Sequence, residues 1–152
     1  MARLVMMIND EGRIEARILS DHLRFVLAGN CTFTARSTRT GKRYTFKVSK
    51  PKDSQNDIRF VGLLSGPDNE SDYVYVGMIT PDLLFKLTRA SRMTFDSEPV
   101  KAFDYIWCFL RLNEEPKNVE IWHSGRCARC GRKLTVPESI ASGFGPECIG
   151  KL

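Results

Sequence analysis

His123-Ser-Gly-Arg-Cys127-Ala-Arg-Cys130-Gly-Arg-Lys-Leu134 begins the stretch that decides the fold, and Gly143-Phe-Gly-Pro-Glu-Cys148 closes it. Three thiolates and an imidazole make a tetrahedral Cys₃His set, and soft sulfur with nitrogen suits zinc. Glycine directly after the second cysteine of Cys-x-x-Cys lets the backbone fold back around a metal, as in a zinc knuckle. The third cysteine follows a Gly-x-Gly-Pro break, which reads as a helix start with Pro146 at the first helical position. Knuckle, short hairpin and a ligand in the first turn of a helix together predict a treble-clef-like zinc module.

The predicted zinc ligands are His123, Cys127, Cys130 and Cys148. After Cys148 come Ile149, Gly150, Lys151 and Leu152, none with a normal zinc-ligating side chain, so His123 completes the set most economically. Cys31, Cys108, Glu147 and the terminal carboxylate are the competing candidates. For the three cysteines the alternative is a disulfide plus a free thiol.

The string Cys-x-x-Cys-Gly-Arg-Lys-Leu-Thr-x-Pro-Glu-Ser-Ile-x-x-Gly-x-Gly-Pro-Glu-Cys resembles the signature of an uncharacterised domain family common in bacteriophages and prophages. Upstream, Thr-Gly-Lys-Arg-Tyr-Thr-Phe-Lys-Val and Leu-Ser-Gly-Pro-Asp-Asn-Glu-Ser-Asp-Tyr are similar to longer members. The resemblance implies a phage or prophage origin and a zinc site at Cys127, Cys130 and Cys148. It implies no activity.

The rest of the chain predicts an α+β fold: an antiparallel sheet packed by helices, with the zinc module at its C-terminal end. The expected division is an α+β core over residues 1–118 and a zinc-binding module over 119–152. The clearest hairpin pairs Thr32–Ser37 with Lys42–Val48, where Phe33 and Ala35 share a face with Tyr44, Phe46 and Val48. Earlier strands are expected over residues 2–8 and 13–19, and later ones over 58–64 and 73–80. Ser20-Asp21 reads as the cap of a short helix over 22–28, and Pro81 as the start of another over 81–87. The strongest helix opens at Ser97-Glu98-Pro99 and runs to about residue 112. Its Val100, Phe103, Ile106, Trp107 and Leu110 recur at helical spacing. A strand over 119–122 then delivers His123 to the knuckle.

Charge narrows the function classes. Net charge is +5, and residues 1–50 hold ten Lys/Arg against four Asp/Glu. A nucleic-acid surface is therefore expected at Arg36, Arg39, Lys42, Arg43 and Lys47 on the hairpin and at Arg126, Arg129, Arg132 and Lys133 around the knuckle. A two-stranded basic ribbon suits a major groove, although lysines also discourage edge pairing in a solvated sheet. The alternative partner is a host protein, of a defence or replication complex, met through the acidic loop Asp68–Asp72 or a sheet edge.

Enzyme chemistry is not expected. Four protein ligands close the shell that a catalytic zinc leaves open. Residue 125 is glycine, where a zinc deaminase carries glutamate two residues after its first ligand. No phosphate loop, nucleophile elbow or metalloprotease helix occurs, and no small-molecule substrate is inferred. Five cysteines, an odd count with three in metal spacing, no signal-like apolar start and no run near about 20 apolar residues point to the cytoplasm of a bacterial host, without membrane association.

Overall fold

A computed structural model describes residues 6–8, 14–19, 21–52, 56–66, 72–123, 125–134, 140, 142–145 and 148. Its strands are β1 (Met6–Ile8), β2 (Ile14–Arg17), β3 (Asn30–Ser37), β4 (Arg43–Ser49), β5 (Arg59–Leu64), β6 (Tyr73–Ile79), β7 (Phe85–Lys86) and β8 (Val119–His123). Two helices join them, α1 (His22–Val26) and α2 (Glu98–Leu110). All described strands form one antiparallel sheet in the order β1-β2-β8-β3-β4-β5-β6-β7. No helix among the described residues is long and apolar enough to cross a membrane.

The β3–β4 hairpin forms as its alternation predicts, in register from Asn30↔Ser49 to Arg36↔Arg43. Cys31, Phe33, Ala35, Phe46 and Val48 are buried on one face, and Tyr44 is half-buried beside them. Helix α2 covers this face with Val100, Phe103, Ile106, Trp107 and Leu110, all buried. Phe103 meets Phe46 at 5.1 Å and Phe85 at 4.7 Å between ring centroids. Such aromatic burial contributes most of the apolar stabilisation available to a sheet–helix layer.

Three local expectations are corrected. Residues 81–87 form no helix: Thr80 and Leu84 close a turn, and Phe85–Lys86 pairs with β6 as an edge strand. Tertiary packing decides this, because Phe85 inserts against Phe103 while Trp107 Nε1 donates to the Leu83 carbonyl at 2.8 Å. Helix α1 is not capped by the Asp21 side chain, since Asp21 takes left-handed φ of 54° and makes no cap bond; Ser20 lies outside the described residues. Instead, Asn113 Oδ1, just past α2, accepts the Leu23 N–H at 3.1 Å.

The third correction concerns the boundary expected between residues 118 and 119. Strand β8 pairs with β2 on one side and β3 on the other, so it is an interior strand of the sheet. Leu134, Ile140, Phe144 and Cys148 likewise share one core with Phe25, Phe33 and Ile121. An interior strand cannot leave without exposing two rows of backbone polar groups, so the chain does not part there. The predicted strand over 2–8 is seen at Met6–Ile8, and the residues before it lie outside the described set.

Candidate metal centre

Strand β8 ends at His123, and the chain turns at once through Gly125 (φ +82°) into the knuckle. Arg126 and Lys133 face each other as a single antiparallel bridge, and Leu134 N–H donates to the Gly125 carbonyl at 2.7 Å. Inside that frame, Cys127 N–H donates to Arg132 O and Gly131 N–H to Cys127 O, both at 2.8 Å. Gly131 adopts φ +79°, the left-handed conformation that only glycine takes without strain. Ala128 anchors the tip both ways: its N–H donates to Gly143 O at 2.9 Å, and its carbonyl accepts from Asn30 N–H at 2.8 Å.

This folding brings Cys127, Cys130 and Cys148 together. Their sulfurs lie within 4.8 Å of one another, and none is in a disulfide. Three such thiols can hold a metal ion. Burial pushes the Cys127 thiol up, but hydrogen bonds from the backbone of Gly145, Cys130 and Arg129 outweigh it and bring it down to about 7. Burial raises Cys148, partly offset by Arg129, whose Nη1 donates to its sulfur at 3.7 Å. The Cys127 thiolate is thus accessible near neutral pH, as metal ligation requires.

His123 does not join the sulfurs. It is 1% exposed, its Nε2 donates to Ile140 O at 2.5 Å, and its Nδ1 accepts from Gly125 N–H at 2.9 Å. With both ring nitrogens engaged by backbone, no lone pair is left for a metal. Burial lowers its pKa against the raising effect of the Ile140 bond, so the ring is held neutral. Its work is to tie the end of β8 to both sides of the knuckle. Cys31 is buried in the core with its thiol raised well above the ordinary range by burial, and Cys108 is exposed on α2. Neither belongs to the sulfur group among the described residues; Glu147 and the terminal carboxylate lie outside them.

The basic residues split into two groups. Arg39 and Lys42 lie in the exposed β3–β4 turn, beyond the Ser37 end of β3, while the knuckle is docked at its Asn30 end. Seven residue steps along a strand separate those ends by roughly 23 Å. On the hairpin, Arg36 pairs with Glu120 at 3.0 Å and Lys42 with Glu98 at 2.7 Å. Arg43 opens β4, exposed, and the Lys47 ammonium lies 5.5 Å from the centre of the Tyr73 ring. Around the knuckle, Arg126, Arg129, Arg132 and Lys133 are all exposed. Arg126 also donates to Gly131 O at 3.2 Å. Strands β3 and β4 are flanked by β8 and β5, so they form no free ribbon of the kind that enters a major groove.

Sequence reasoning passed over an open groove on the face opposite α2, lined by Lys47, Phe60, Gly62, Tyr73 and Tyr75, with a volume near 280 Å³. Its signal was present: Tyr73 and Tyr75 alternate with Val74 and Val76, and Phe60 alternates with Val61. The acidic segment Asp68–Asp72 is described only at Asp72, so its partner role falls outside the described residues.

A protein-family model described as a family of unknown function (DUF6011) matches residues 122–152, the stretch from Trp122 through the three cysteines. Comparison with curated proteins and with solved structures returned no match.

Proposed function

We propose that this is a non-enzymatic accessory protein of phage or prophage origin, in which Cys127, Cys130 and Cys148 hold a structural zinc ion and a basic surface binds nucleic acid. The reading is carried by one observation: three sulfurs gathered within 4.8 Å in a turn bearing four exposed cations. Thiolate ligands favour zinc over harder ions, and bound zinc supplies folding free energy to a glycine-rich segment. The treble-clef-like description belongs to the same proposal, with the helix after Pro146 as its remaining part.

A structural role no longer leans on His123 as a fourth ligand. It rests on the surroundings of the sulfurs, where Ala128, Leu134, Ile140 and Phe144 are buried in the same core. Among the described residues, no histidine or carboxylate joins the sulfur group to serve as a general base. A second reading, a host-protein modulator, is favoured by the hairpin's own ion pairs. Arg36 and Lys42 are already matched to Glu120 and Glu98, which leaves less charge there for phosphate.

Both parts have direct tests. Zinc analysis of purified protein should give one ion per chain, and X-ray absorption should show sulfur-dominated four-coordination. A bound water in place of a protein ligand would revive an enzymatic reading. Mobility shifts with DNA and RNA should weaken as salt rises. Reversing Arg129, Arg132 and Lys133 to glutamate should abolish them, and a folded, zinc-loaded protein that shifts no nucleic acid would move the function to a host protein.

A further inference from the structure

The sheet of eight described strands has two faces, and α1 and α2 both pack against one of them. Phe46 meets α2 through Phe103, while His123, inward-facing on β8, meets α1 through Phe25 at 5.9 Å. Cross-strand register places Lys47, Gly62 and Tyr75 side by side on the other face, with Phe60 and Tyr73 flanking them. Lysine, phenylalanine and two tyrosines on neighbouring central strands, on a face that neither α1 nor α2 covers, are an uncommon surface, since large aromatics normally seek burial.

The groove's shape is specific. Gly62 forms its floor, where an added Cβ would come within 3.3 Å of Tyr73 Cβ, so the glycine keeps the centre low. Phe60 is 37% exposed and meets Tyr75 at 5.7 Å between centroids, tilted by 57°. Thr88 Oγ1 fixes the Tyr75 hydroxyl at 3.2 Å. A volume near 280 Å³ lies below the roughly 300–1,000 Å³ of enclosed small-molecule pockets. Such a site takes a flat group laid against rings and does not engulf a ligand.

Charge selects among flat groups. Lys47 is at the groove, Arg43 lies on the same face of β4, and register places Lys86 beside Met78 and Phe60 on the far side. Cations flanking an exposed Phe60 ring and two half-buried tyrosines match a polyanion whose bases are free to stack. A duplex does not fit, because its bases already stack on each other and a broad sheet cannot enter a groove.

We infer that the Lys47–Phe60–Tyr73–Tyr75 face binds single-stranded nucleic acid, with a base on the Phe60–Tyr75 rings and the backbone phosphates near Lys47 and Lys86. This rests on the nucleic-acid reading above and names its substrate class and its site. The site is distinct from the knuckle cations.

The test measures fluorescence anisotropy of labelled oligothymidylate, oligouridylate and a mixed-sequence duplex with the zinc-loaded protein, at low and at physiological salt. Either single strand should bind more tightly than the duplex, and comparing the two separates DNA from RNA as the source. Phe60→Ala should weaken single-strand binding about tenfold, in line with the loss of one base–aromatic stack. Phe60→Tyr, which keeps a ring, should restore it, and Lys47→Ala should flatten the salt dependence. Phe60 is on the face away from the core, so unchanged zinc content and melting temperature certify each variant. Duplex preferred over both single strands, or Phe60→Ala and Tyr75→Ala binding like wild type, overturns this inference while the nucleic-acid reading survives through the knuckle. No binding by wild type to any probe at low salt overturns both.

Discussion

Two turns of this chain reverse it through a glycine at nearly the same backbone angle, Gly41 at φ +76° in the β3–β4 hairpin and Gly131 at +79° in the knuckle. Around Gly41 an added Cβ would meet nothing within 4 Å, whereas at Gly131 it would come 2.8 Å from Asn30 Nδ2. The hairpin is held by a long ladder and a buried aromatic face. The knuckle has one bridge, a few backbone bonds and its sulfurs. One turn is therefore held by the strands it joins. The other is held by the sulfurs that its side chains gather.

The largest effect comes from breaking that second kind of hold. Cys127→Ser, or chelation of the metal, should cost on the order of 5 kcal/mol or more, because structural zinc supplies roughly 10–16 kcal/mol to comparable peptides. Hydrogen exchange should show residues 125–134 losing protection first, with β3–β4 protected longest. Metal-free and metal-loaded protein melting at the same temperature would remove the metal from the account of stability.

Next comes the pair of glycines. Gly41→Ala should cost about 1–2 kcal/mol, the strain of a left-handed alanine in open space. Gly131→Ala should cost roughly twice that and lower metal affinity, since Asn30 must also move. Urea denaturation with zinc titration compares them, and equal losses would mean that the docking of the knuckle on Asn30 carries no energy.

Much of the hairpin was legible because a two-residue period in a solvent-bounded sheet leaves few alternatives: Phe33, Ala35, Phe46 and Val48 are buried as their alternation requires. Helix α2 was legible for the same reason at helical period. The cysteine triad was legible because thiolates at that spacing have little else to do. His123 was not, because proximity in sequence says nothing of which way a strand-end ring faces, and here the backbone of Gly125 and Ile140 claims both nitrogens. Residues 81–87 were misread because the pocket that Phe103 and Trp107 provide for Phe85 and Leu83 arises only in three dimensions.

The smallest expected effect is with pH. Burial lowers the pKa of His22 and of His123, the largest opposing influences being Glu115 and the Ile140 bond respectively. Both rings are therefore neutral in the folded chain, while the unfolded chain takes up protons below about pH 6.5. Their contribution to stability is full above that value and is lost as pH falls through it towards the folded values. Thermal melts from pH 7.5 to 5.5 should decline, and less steeply in His22→Gln, whose ring accounts for part of the proton uptake. A flat profile would mean that neither ring is buried in solution. A decline confined to zinc-loaded protein would locate the sensitivity in the knuckle alone.

The interior place of β8 has a kinetic consequence. Ala16 pairs with His123 across more than a hundred residues, and β3 meets β8 over nearly the same span. A ribosome delivers β1 to β7 first, so β2 and β3 emerge with open edges that are filled only when residues 119–123 arrive. Long-range pairing of this kind slows folding and leaves unpaired strands exposed while the chain waits. Synthesis is thus vectorial, but closure of the sheet is not: among the described strands β8 is the keystone, and the β1–β2 hairpin stays unmoored until residues 119–123 have been made.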